Sequence, residues 1–190
     1  MAVFLTLTAR VLTGVVLVVS IAAKTRTAGE RAEFTRWVRS LGAVPPPYVP
    51  RAAATLVGAE CAVVVLLALP WTGPAGLALA AALLLFFAAA IAWVGHHGVT
   101  VPCRCFGNSA RPMGRAQILR NVALAGAAAA AAAGPVQPDR PLAAADATLA
   151  VLLGATTALV VTRLDDIAEL FSPSHREAPP IPSKPAGEVS

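Results

Sequence analysis

Apolar residues run through the chain in long blocks separated by short polar connections, and block length is the first physical constraint. A helix rising ~1.5 Å per residue needs ~20 apolar residues to cross a ~30 Å bilayer core. Four stretches reach that length with few charges: about Val3 to Ala23, interrupted by Arg10; Ala52 to Trp71, enclosing Glu60; Ala75 to Val94, with no charge; and Leu142 to Thr162, with Asp146 near one end. A fifth, from about Ala116 to Ala133, carries Arg120 and Asn121 early and ends in seven consecutive alanines, Ala127 to Ala133. Alanine favours helix strongly and lipid only weakly, so this is the weakest of the spans. The first stretch ends in "VSIAAK", whose small residues would suit a cleaved leader, but it lacks a basic start and its apolar run is long, which favours a retained span.

The connection between the first two spans has a periodicity of its own. Phe34, Trp37, Val38 and Leu41 follow i, i+3, i+4, i+7 and form one apolar stripe of a short helix. Thr27 and Glu30 have capping-box spacing, and Gly42 followed by Pro45 to Pro47 supplies the stop. The stripe suits a helix lying at the lipid–water interface, or equally one docked on the bundle from outside. The expected fold class is therefore all-α: an integral membrane bundle of four to five transmembrane helices over residues 3–162, with a short interfacial helix after the first. A disordered tail rich in Pro, Ser and charge is expected over residues 163–190.

Composition agrees: 57% of residues are hydrophobic and 13% charged, which excludes an ordinary water-soluble domain. The net charge of +5 lies in the connections, where membrane topology accounts for it without a nucleic-acid partner. Residues 24–51 hold six basic and two acidic residues, residues 95–115 hold three basic and none acidic, and the opposite side shows Asp139 and Arg140. By the positive-inside rule the N-terminus faces outward, and the connection after the third span faces the cytoplasm of a multi-pass cell-membrane protein.

That connection, "HHGVTVPCRCFGNSARPMGR", concentrates the reactive side chains. Cys103 and Cys105 flank a single residue, so a disulfide between them would close a small strained ring, easily reduced and better suited to exchange than to stapling. Arg104, Arg111 and Arg115 favour the attacking thiolate. Pro102 and Gly107 help fix a turn, and Phe106 would anchor it to the membrane surface. Two other readings stay open: a metal site built from His96, His97, Cys103 and Cys105, whose spacing matches no common four-ligand pattern, and a non-catalytic scaffold. Glu60, ionisable in mid-span, needs a partner, for which Arg10, Arg120 and Lys24 are the candidates. Glu60 is expected to lock helices together; proton movement during thiol chemistry is the functional alternative. Cys61 is expected to be buried packing, pointing about 100° away from Glu60. Arg120 and Asn121 sit early in the Ala116 to Ala133 span, below the cysteine loop, where Asn121 would satisfy carbonyls and Arg120 would hold Glu60 or a thiolate. No cofactor is identified, with no quinone, haem or flavin motif in the chain.

Lys24 closing the first span, the Pro-rich end of the first connection, Glu60, "CRCFG" at 103 to 107 and "RN" at 120 to 121 together form a pattern. The chain resembles the MauE family of methylamine-utilisation membrane proteins, grouped with the DoxX-like redox-associated proteins, over roughly residues 8 to 135. The resemblance implies a helical membrane bundle loosely similar to vitamin K epoxide reductase-type oxidoreductases. It implies that the protein supports disulfide formation in a maturing client enzyme, with methylamine dehydrogenase as the namesake client, alongside a thioredoxin-like protein. Cys103 and Cys105 would be the redox pair, with Glu60, Lys24, Arg104, Phe106, Gly107, Arg120 and Asn121 in support.

Overall fold

The structure, a computed structural model, describes residues 1–96, 115–134 and 143–170. Among these the chain forms α1 (Ala2–Thr25), α2 (Ala28–Ser40), α3 (Val49–Ala68), α4 (Gly73–His96), α5 (Arg115–Ala132) and α6 (Ala144–Leu170), with 3-10 turns at Pro46–Tyr48 and Pro70–Thr72. α1, α3, α4 and α6 are long and apolar enough to cross a membrane. α5 falls short on composition, because Arg115, Gln117, Arg120 and Asn121 crowd its first two turns. It nevertheless packs along α4 more extensively than any other pair of elements pack, and against α1 as well, so it completes an all-α membrane bundle.

Bundle helices consecutive in the chain (α1, α3, α4, α5, α6) run antiparallel, whereas α6 packs parallel to α1. Arg10 of α1 bonds Leu67 near the end of α3, while a side chain at Gly76, near the start of α4, would meet Leu66. The Gly134 position after α5 lies near Thr6, and Gly154 of α6 lies against Thr8. One end of the bundle therefore carries Thr25, α2, Val49, His96, Arg115 and Leu170, and is called here the basic end. The other carries Met1, Ala68, Gly73, Ala132 and Ala144.

α2 is built as its spacing predicts. Thr27 Oγ1 accepts from Glu30 N at 3.1 Å and Glu30 Oε2 accepts from Thr27 N at 2.8 Å, closing the capping box. Phe34, Trp37 and Val38 are buried against Val49 and Ala53 of α3, with Leu41 partly covered. Gly42 then turns the chain at φ +66, a left-handed conformation that glycine adopts without steric cost.

Two boundaries differ from the sequence expectation. The second span stops at Ala68 and not at Trp71, because Leu69 is forced to an extended conformation (φ −76, ψ 133) ahead of Pro70. Trp71, in the following turn, is largely exposed. The last helix continues through Leu170, eight residues into the expected tail: "RLDDIAEL" contains neither proline nor glycine, and the next proline is Pro173. Residues 171–190 lie outside the described residues.

α6 docks on α1 through a close backbone approach. A Cβ at Gly154 would lie 2.8 Å from Thr8 O and 3.0 Å from Val11 Cβ, so the two helices touch only because that position has no side chain. Gly154→Leu is expected to cost ~1–3 kcal/mol by overpacking. Unfolding titrations in mixed micelles would measure it, and an unchanged midpoint would mean that α6 does not depend on this contact.

Candidate functional site

The bundle interior changes character along its length. Val16 and Leu17 of α1, Val63 of α3, Leu84 of α4, and Leu124 and Ala125 of α5 belong to one buried apolar cluster. One helical turn toward the basic end brings in Ser20, Glu60, Phe87 and Asn121, each at the i±3 or i±4 position of a cluster residue and each buried. Helical register thus stacks a polar layer directly on an apolar one. Lys24 and Gln117, also buried, follow one turn further on.

The polar layer centres on an ion pair. Lys24 Nζ lies 2.6 Å from Glu60 Oε1, with side chains 1% and 0% exposed. Ser20 Oγ donates to the same oxygen at 2.9 Å and accepts from Lys24 Nζ at 2.8 Å, closing a three-membered network between α1 and α3. The ammonium also lies 5.3 Å from the ring centroid of Phe34 and 4.9 Å from that of Phe87, which ties α2 and α4 to the same point. A charge at the bilayer centre costs ~2.5–3.5 kcal/mol on insertion scales. Here the carboxylate, the hydroxyl and two aromatic faces replace the water the ammonium gives up. The replacement is incomplete for the acid: among the described residues, Glu60 Oε2 is buried with no hydrogen-bond partner, as is Asn121 Oδ1 in the same layer.

Of the three candidate cations, Lys24 is the one that bonds Glu60. Arg10 lies at the opposite end, where Nε and Nη2 donate to Leu67 O, and Nη2 donates to Leu69 O at 2.8 Å. Antiparallel packing explains the choice, since the residues of α1 that reach mid-α3 come from its C-terminal half. Asn121, one position after Arg120 on α5, faces the bundle interior.

Cys61 departs from its expectation. It points away from the ion pair, as the helical angle requires, but it is exposed and lines a groove between α2 and α3. A small apolar side chain on a lipid-facing surface needs no protein burial. His96 closes α4 and is exposed. Among the described residues no group of three or more His, Cys, Asp or Glu is placed to hold a metal. His97, Cys103, Arg104, Cys105, Phe106 and Gly107 lie outside the described residues. The described residues on either side of them, His96 and Arg115, both lie at the basic end.

Sequence reasoning missed Ser20 and Phe87, and took Phe34 only as part of the interfacial stripe. Ser20 was detectable as the residue four positions before Lys24, on the same helical face. Phe87 carries no such signal, being one aromatic in an uninterrupted apolar run.

The sequence model described as "Methylamine utilisation protein MauE" matches residues 2–134, which takes in the polar layer and the Cys-x-Cys segment together. The chain belongs to the MauE family. Neither a curated protein nor a solved structure matches it. Membership sets this MauE chain among the multi-pass membrane proteins of methylamine utilisation.

Proposed function

We propose that this MauE chain carries thiol–disulfide electrons for a partner protein during its maturation, using Cys103 and Cys105. A thiolate of the reduced partner attacks the Cys103–Cys105 disulfide, giving a mixed disulfide and one free thiolate on this chain. The partner's second thiolate then resolves that bond, so the partner leaves oxidised and the pair leaves as a dithiol, two electrons having passed. A thioredoxin-like protein in its disulfide form restores the pair by the reverse exchange. The family context makes an enzyme of methylamine utilisation the natural client.

The observation that supports this most is the buried Ser20–Lys24–Glu60 layer at the end of the bundle where the Cys-x-Cys segment departs. A segment handling strained sulfur chemistry needs rigid anchor points, and that layer locks α1, α3 and α4 at that end. Arg104, Arg111 and Arg115 keep the thiols acidic, Phe106 and Gly107 shape the turn, and Arg120 and Asn121 support it from the start of α5. The charge count points the basic end to the cytoplasm, where the same exchange would run as electron delivery from a cytoplasmic thiol pool, whereas oxidation of an exported client requires that end outside.

Cys105→Ser removes the thiol that resolves the re-oxidation step and should trap a mixed disulfide between Cys103 and the oxidised thioredoxin-like protein, visible on a non-reducing gel and lost on reduction. The absence of an adduct under any redox condition, with a metal ion co-purifying with the protein instead, would overturn the redox reading. A C-terminal reporter active on one side only tests the orientation, and an external signal would reverse it.

A further inference from the structure

We propose that the groove between α1, α2 and α3 holds one anionic phospholipid, its phosphate at Arg31 and an acyl chain laid along α3. This goes beyond the redox reading and does not depend on it. The cavity is about 470 Å³, with Thr25, Arg31 and Pro50 at the basic end and Val57, Gly58 and Cys61 at its far end. Pro50 to Cys61 spans eleven residues, or ~16 Å of helix, which suits a chain running from headgroup depth into the hydrocarbon. The space beside Gly58 is open: a Cβ built there meets nothing within 4 Å. Beside it Cys61 is exposed, so the far wall opens toward lipid.

Charge selects the headgroup. Arg31 is exposed and spends one donor on Thr25 O at 2.9 Å, and no carboxylate pairs with it among the described residues. Nearby acids are committed elsewhere, Glu30 to the capping box, Glu33 to Arg36 at 3.7 Å and Glu60 to Lys24. Arg26, Arg36, Arg39 and Arg51 crowd the same end of the bundle, so the surroundings attract a phosphate and repel the ammonium of a zwitterionic headgroup. Arg31 retains free N–H groups to fork onto phosphate oxygens.

The full chain, purified and supplied with equal phosphatidylglycerol and phosphatidylcholine, is expected to retain one phosphatidylglycerol in native mass spectrometry. Arg31→Ala should lower that retention about fivefold, toward the phosphatidylcholine level, and Arg31→Lys should restore part of it. Gly58→Leu fills the open track and should abolish retention of either lipid while leaving the helical circular dichroism unchanged. Equal retention of the two lipids by the natural chain would overturn the proposal. So would retention indifferent to both Arg31→Ala and Gly58→Leu, or a lipid-independent dimer lost on Gly58→Leu, which would make a second copy the occupant.

Discussion

Lys24→Met is expected to destabilise the bundle by ~3–5 kcal/mol, because it leaves the Glu60 carboxylate fully buried with Ser20 Oγ as its remaining donor. Methionine keeps most of the apolar stem, so the loss reports the charge and not a cavity. Glu60→Gln should be costly for the mirror reason: it leaves an ammonium between Phe34 and Phe87, whose faces offset only ~0.5–2 kcal/mol. The double variant Lys24→Met with Glu60→Gln removes both charges and should recover most of the stability, a coupling of at least ~2 kcal/mol. Reversible unfolding in mixed micelles gives all four values of the cycle. Additive losses would mean that the two residues stabilise the fold separately, and a loss below ~1 kcal/mol for Lys24→Met would mean that the pair is not what closes the basic end.

The same pair shows what a linear sequence reveals. Hydropathy gives the spans because bilayer thickness acts on length and composition, which need no knowledge of neighbours. The α2 capping box and stripe are likewise local, and they form as written. Which cation meets Glu60 is a different kind of fact. Arg10, Lys24 and Arg120 are equally eligible by charge, and only the antiparallel register of α1 on α3 selects Lys24 while sending Arg10 to Leu67. Cys61 divides the same way: the helical angle turns it from the ion pair, but whether that side meets protein or lipid depends on where α2 lies. The layer of Ser20, Glu60, Phe87 and Asn121 depends on the register of four helices at once, and only Glu60 signals itself by its charge.

Arg10→Leu is expected to cost ~1–3 kcal/mol, from a different cause and at the far end of the molecule. The guanidinium is a cap supplied by another helix: it donates to Leu67 O and Leu69 O, carbonyls at the end of α3 where Pro70 prevents the helix from continuing. A cation there also complements the negative end of the α3 dipole. Leucine preserves the apolar packing but leaves the part-buried Leu67 O without that donor, at ~1–3 kcal/mol, while Leu69 O is exposed and keeps Thr72 Oγ1 at 3.4 Å. Lysine, with one ammonium in place of a planar fork, should recover only part of the loss. Arg10 and Lys24 lie fourteen residues apart on α1, or ~21 Å. They share no hydrogen-bond partner, so Arg10→Leu combined with Lys24→Met should lose stability additively to within ~0.5 kcal/mol in the same titration. A larger departure would show that the two ends of α1 communicate through α3. Additivity would make Arg10→Leu the control that any functional study of Lys24 needs, equal in kind as a loss of stability but remote from the polar layer.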